Sequence, residues 1–189
     1  DFGFTASNIY GLAGIAGTNY GTISGSKNVS DLTAAGASKA GIAAINYGKI
    51  ENCENIGTIS QATYAGGITA ENRNGSDSAL LFIDKFEDMQ LCGSISGCKN
   101  RGSIAASADA GGITADNYSG GLVSGSENSA DVSGSMAGGI AGRASGCYEI
   151  GGIKNCKNSG KISASGSYGG GLVGELINGL VYFGENSGE

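Results

Sequence analysis

The sequence predicts an all-β chain, a three-sided parallel β-solenoid of about six coils with one inserted excursion. Three observations carry that expectation. One phrase returns six times in fixed register, and each copy holds short apolar segments bounded by Gly, Asn or Ser. Glycine occurs 37 times in 189 residues while proline is absent. Fixed periods of this length mark a solenoid, in which each repeat buries its apolar face only against its neighbours. Proline cannot donate to a β-ladder, so its absence suits a backbone hydrogen-bonded from rung to rung.

The first landmark is a branched apolar residue five positions before an asparagine. The pairs are Ile23 with Asn28, Ile50 with Asn55, Ile95 with Asn100, Val123 with Asn128, Ile153 with Asn158 and Val181 with Asn186. The Asn-to-Asn spacings are 27, 45, 28, 30 and 28, which places an insertion of about eighteen residues in one copy. The second landmark is a small-residue run ending in Ile15, Ile42, Ile68, Ile113, Ile140 or Leu172. The third is an aliphatic four residues after the Asn, at Leu32, Ile59, Ile104, Val132 and Ile162. Three β-segments per coil follow, with the aliphatic columns as a narrow core. No 3.6-residue periodicity persists, and the frequent glycines disfavour helix. We treat residues 1–189 as one solenoid domain, a segment of a longer protein, with the insertion at about 73–92.

Composition excludes several function classes. The net charge of −6 disfavours nucleic acid and anionic membranes as partners, since both need basic patches. With no histidine, the usual general base and the commonest metal ligand are missing. No apolar run is long enough to span a bilayer, and no signal peptide opens the chain. No catalytic, cofactor-binding or metal site is expected.

The phrases Gly-Lys-Ile-Glu-Asn-Cys-Glu-Asn-Ile-Gly-Thr-Ile (48–59), Gly-Gly-Ile-Lys-Asn-Cys-Lys-Asn-Ser-Gly-Lys-Ile (151–162) and Ala-Gly-Gly-Ile-Ala-Gly (137–142) resemble the GLUG-type repeat. The resemblance covers the chain apart from its insertion. It implies a β-solenoid in a large secreted or surface-attached bacterial protein, such as an adhesin or the non-catalytic region of an IgA-protease-like peptidase. It transfers no catalytic residues.

Several columns invite a functional reading. The residue before each register Asn is charged with alternating sign: Lys27, Glu54, Lys99, Glu127, Lys157, Glu185. Stacked on a solenoid, such residues attract across each rung, and a slip by one coil sets like charges together. The Asn28, Asn55, Asn100, Asn128, Asn158 and Asn186 column reads as an asparagine ladder. Cys53, Cys98 and Cys156 share a slot filled by Ser26, Ser126 and Gly184 elsewhere, so we expect free structural thiols. Cys92 and Cys147 fall outside the register, and a Cys92–Cys98 bridge would close a small loop. Tyr20 and Tyr47 share a position near Tyr118 and are expected to pack on each other. Asp31 and Asp131 share a column three coils apart, too far for a catalytic carboxylate pair. The insertion carries the candidate partner-binding residues Phe82, Asp84, Phe86, Glu87 and Asp88, because loops on rigid scaffolds often carry function.

The leading expectation is a non-catalytic structural or adhesive module outside the cell, acting as a rigid spacer or binding scaffold. Its partners would be proteins, glycans or neighbouring coils. The alternatives are a substrate-positioning domain of an extracellular peptidase and a subunit of a head-to-tail fibre. The fibre reading notes that Gly3-Phe4 supplies a strand to a preceding coil and that Glu185 and Lys27 continue the charge alternation across a junction.

Overall fold

The computed structural model describes residues 10–73, 93–146 and 152–189. Among these residues every named element is a β-strand and every pairing is parallel. The strands form four stacks, each six coils deep. Sheet A stacks Gly11–Ala13, Gly36–Ala40, Ile59–Gly66, the broken pair Ile104–Ala106 and Asp109–Gly111, Val132–Gly138 and Ile162–Gly170. Sheet B stacks Ala16–Asn19, Ala43–Asn46, Thr69–Asn72, Thr114–Tyr118, Ala141–Ser145 and Val173–Ile177. Sheet C stacks Thr22–Ser24, Lys49–Glu51, Ser94–Ser96, Leu122–Ser124, Gly152–Lys154 and Val181–Tyr182. Sheet D stacks the two-residue strands Lys27–Asn28, Glu54–Asn55, Lys99–Asn100, Glu127–Asn128, Lys157–Asn158 and Glu185–Asn186.

The β-solenoid is as the sequence predicts, but each coil carries four strands where three segments were expected. The column Ile15, Ile42, Ile68, Ile113, Ile140 and Leu172 does not mark a strand. It occupies the bend between sheets A and B. Sheet B follows it with small and polar residues such as Thr69-Ala-Glu-Asn72, which lack the large aliphatic anchor used to find strands. The described coil runs up to Arg73, at the start of the expected insertion. Arg73 still belongs to the coil, donating its backbone N–H to the Asn46 carbonyl at 2.9 Å. Its own carbonyl accepts from the Gly93 N–H at 2.8 Å, so Arg73 and Gly93 are neighbours in the coil. Phe82, Asp84, Phe86, Glu87, Asp88, Cys92 and Cys147 lie outside the described residues.

Asparagine holds the coils together. Each Asn of sheet D donates from Nδ2 to Oδ1 of the Asn one coil on, from Asn28 to Asn55 at 2.8 Å and onward to Asn186 at 2.8–2.9 Å per step. The other Nδ2 hydrogen goes to the carbonyl two residues ahead, as from Asn100 to Gly102 at 3.0 Å. Both amide hydrogens are therefore used inside a protein interior where an unmet donor costs about 1–3 kcal/mol. Asn55 and Asn100 are fully buried.

Across the coil, each of these amides rests on one glycine of the A–B bend. A Cβ on Gly41 would lie 2.4 Å from Asn55 Oδ1, and one on Gly112 would lie 2.4 Å from Asn128 Cγ. The next coil's backbone is equally close, with Gly139 O at 2.1 Å from the Gly112 position. This contact divides the interior in two. Residues from each Gly forward to its Asn form one apolar cluster, built on Ile42, Ile50, Ile68, Ile95, Ile113, Val123, Ile140 and Ile153. Residues from the Asn forward to the next such Gly form the other, built on Ile59, Ile104 and Val132 with Ala62, Ala65, Ala110 and Ala137.

The turn from sheet C to sheet D requires a left-handed residue in every coil. Gly25, Asn52, Gly97, Gly125, Asn155 and Phe183 occupy it with φ between 50° and 60°. Glycine and asparagine tolerate this conformation, whereas a side chain such as Phe costs about 1–2 kcal/mol.

Two stability measurements follow. Asn100→Ala should cost about 3 kcal/mol in urea unfolding, because Asn55, Asn128 and the Gly102 carbonyl each lose a buried partner. Lys99→Ala, one residue away on the exposed side, should stay within about 1 kcal/mol. Equal small effects would contradict the ladder's role. Phe183→Gly should stabilise the last coil by about 1 kcal/mol by removing the left-handed strain; a destabilisation would show that the 81 % exposed ring contributes packing instead.

Candidate functional site

Sheet D presents the alternating charges as an open comb. The register sets Lys27 beside Glu54, Glu54 beside Lys99, Lys99 beside Glu127, Glu127 beside Lys157 and Lys157 beside Glu185. Ion pairs do not bridge every step. Lys27 Nζ reaches Glu54 at 3.0 Å, Lys99 reaches Glu127 at 3.3 Å and Lys157 reaches Glu185 at 2.9 Å. Glu54 takes a second cation from Arg101 Nε, at 2.9 Å, rather than from Lys99. The Lys27 hydrogen bond holds the Glu54 carboxyl below its usual range, and Glu185 pushes the Lys157 ammonium up. These groups are exposed, so each pair contributes little to stability. Lys99, Arg101, Glu127, Lys157 and Glu185, with the Ser129, Ser159 and Ser187 column, line an open groove of about 380 Å³.

The cysteine slot is explained by hydrogen bonding. Cys53 Sγ accepts from the Ser26 N–H at 3.4 Å, Cys98 Sγ from the Cys53 N–H at 3.4 Å, and Ser126 Oγ from the Cys98 N–H at 3.2 Å. Each also donates to the carbonyl two residues back, as Cys98 does to Ser96 at 3.4 Å and Ser126 to Ser124 at 3.0 Å. Thiol and hydroxyl thus do the same work. Cys53, Cys98 and Cys156 are free thiols, and burial pushes Cys156 up. Asp31 and Asp131 serve a similar end, Asp31 Oδ1 accepting the Thr58 N–H at 2.7 Å and Asp131 Oδ1 the Lys161 N–H at 3.3 Å.

At the end of sheet B, Tyr20 and Tyr47 stack with ring centroids 4.9 Å apart and planes 4° from parallel. Arg73 follows them in register and lies 5.4 Å from the ring centre of Tyr118. One position earlier runs a second asparagine ladder, from Asn19 through Asn46 and Asn72 to Asn117 at 2.8–2.9 Å per step. Ala144 and Leu176 replace Asn in the last two coils.

Between sheets A and B lies a buried polar cluster that the sequence reading missed. Glu71, Asp116, Arg143 and Glu175 stand in one column of sheet B. Ser38 Oγ donates to Glu71 Oε1 at 3.2 Å, and Arg73 pairs with the same carboxylate. Arg143 Nε holds Glu175 at 3.0 Å. Asp116, only 1 % exposed, accepts from the Tyr118 hydroxyl at 2.9 Å on Oδ2, while its buried Oδ1 has no protein hydrogen-bond partner among the described residues. Asp109 of sheet A, also buried, meets the Asp116 carboxyl across the sheet interface. Four carboxyls therefore face two guanidinium groups. Burial pushes Asp116 up to about 7, against the Tyr118 hydrogen bond and with the aid of Asp109. Burial raises Asp109 as well, opposed by Arg143. Burial and the neighbouring negative charge thus favour the protonated form at both acids.

The signal for both missed columns was present. Glu71, Asp116, Arg143 and Glu175 each stand three residues after the aliphatic of the bend, and the second Asn ladder stands four after it. Among the described residues no group of three or more His, Cys, Asp or Glu side chains is placed to hold a metal ion.

The acid pair predicts an unusual pH dependence. A carboxyl raised from about 3.9 when unfolded adds stability that is complete below that value and is lost as pH rises through about 7. The melting temperature should fall between pH 5 and pH 8, and Asp116→Asn should remove most of that fall. A stability flat or rising over this window would contradict the raised Asp116 carboxyl.

The GLUG motif family matches residues 133–163, which run from sheet A of the fifth coil to sheet A of the sixth. No curated protein and no solved structure matches the chain.

Proposed function

Starting from a chain that carries the GLUG motif on a β-solenoid, we propose a non-catalytic structural and adhesive module of a larger secreted or cell-surface bacterial protein. It serves as a rigid spacer that also displays a binding face. The observation that carries this reading is the sameness of the coil-to-coil contact. The Asn28-to-Asn186 ladder repeats one hydrogen bond at every step, so a rod of this kind extends without a new interface being needed. The resemblance to repeats of secreted bacterial proteins supports the location. The comb of sheet D supports the display role, because its charges and serines project from a fixed backbone at the spacing of neighbouring strands, about 4.8 Å.

The test replaces the solenoid in a surface-displayed parent by a flexible Gly/Ser linker of equal residue number, then by an unrelated rigid solenoid of equal length. Adherence of the displaying cells should drop with the linker and recover in part with the unrelated rod. Full adherence with the linker would overturn the spacer role. Hydrolysis of protein or polysaccharide by the purified chain, abolished by one point substitution, would overturn the non-catalytic reading.

A further inference from the structure

Two columns of side chains leave sheet D on its outer side, one on each flank of the buried asparagines. The first is the comb, in which Glu54, Lys99, Glu127 and Lys157 occupy the four middle coils. Among the described residues no ion pair joins Glu54 to Lys99 or Glu127 to Lys157, and the Lys99 and Glu127 side chains are 49 % and 50 % exposed. The second column stands one residue after each asparagine and holds Ile56, Arg101, Ser129 and Ser159 in the same coils. It changes size along the rod. Ile56 and Arg101 are large and exposed. Ser129 and Ser159 instead hold their hydroxyls against the Asn carbonyl one coil before, at 3.4 and 3.5 Å. These serines line the open groove of about 380 Å³.

Charge also sets this face apart. The comb with Arg101 holds four of the chain's eleven basic residues but only three of its seventeen acidic ones. On a chain of net charge −6 it is a near-neutral strip, where a second copy meets little repulsion.

We propose that sheet D is a dimer interface, on which a second copy of this chain docks face to face and antiparallel, about a two-fold axis passing between Lys99 and Glu127. With the axis there, each contact is made twice. Lys99 faces Glu127 of the second copy, and Glu54 faces its Lys157. In the other column Ile56 lies over Ser159 of the second copy and Arg101 over its Ser129, so large side chains enter the serine-lined groove. A two-fold axis running along the comb sets Lys on Lys and Glu on Glu, and so does a perpendicular axis that passes through a coil rather than between two. The four middle coils alone fix this register. Exposed ion pairs are weak and the strip is narrow, so dimerisation is expected on the order of 0.1–1 mM. This partner belongs to the display face already inferred for sheet D, and the proposal rests on that reading.

Sedimentation velocity tests it. The chain should sediment as a monomer–dimer mixture at about 0.15 M salt, with less dimer at about 1 M, where the Debye length shrinks to about 3 Å. Lys99→Glu and Glu127→Lys should each weaken the dimer about tenfold or more, because each sets like charges together twice. An equimolar mixture of the two variants should recover it, since every contact between them again pairs opposite charges, a rescue that folding defects cannot produce. The double substitution, Lys99→Glu with Glu127→Lys, should dimerise like the unaltered chain although it places like charges on neighbouring coils of one chain. A strict monomer at about 1 mM would overturn the proposal. So would a dimer indifferent to the single substitutions, or one lost in the double substitution. Adherence of displaying cells that falls with either single substitution, while the purified unaltered chain stays monomeric, would overturn the dimer and leave the display reading standing.

Discussion

The contact between the asparagine ladder and its glycine column sets the rest of this fold. The amide of each sheet D asparagine is hydrogen-bonded to the coils above and below, and it rests against a bend where a Cβ would come within about 2.4 Å. The bend must therefore be glycine, and the chain must turn there. The interior is pinched into two clusters, one between each glycine and its asparagine, the other between that asparagine and the next such glycine. Neither cluster is large. The fold compensates with hydrogen bonds that repeat at every step.

The two asparagine ladders also set what the surface can do. With the coil-to-coil contact supplied internally, the outward residues of sheet D are free to be charged. The ion pairs there are exposed and weak, and their regular spacing is a consequence of the ladder beneath them. The Asp109–Asp116 pair is the exception. It places unbalanced acid between sheets A and B, where burial raises both carboxyls and where the second ladder has its last asparagine, Asn117, before Ala144. The raised carboxyls predict a pH-dependent stability in this part of the rod, while the ladder of sheet D contains none of these groups.

The repeat, the parallel stacking and the register of the asparagine and charge columns were legible because one residue type recurs at one spacing. The number of strands per coil was not. Sheet B is written mostly in alanine, glycine and polar residues, with Ala43, Thr69, Thr114 and Ala141 facing the core, and no hydrophobic alternation betrays it. The buried carboxyls were missed for a related reason. Glu71, Asp116, Arg143 and Glu175 align only when each coil is counted from its bend, and their partner Asp109 comes from a different sheet. A sequence period shows which residues stack along the rod. It does not show which residues meet across it.

The asparagine ladder can be observed directly by NMR through the hydrogen-bond coupling between Nδ2 of one asparagine and Cγ of the next. The structure predicts such couplings for each step from Asn28 to Asn186, with the Nδ2 hydrogens of Asn55, Asn100, Asn128 and Asn158 exchanging only on global unfolding. Side-chain amides that exchange as fast as an exposed asparagine, with no coupling between them, would contradict it.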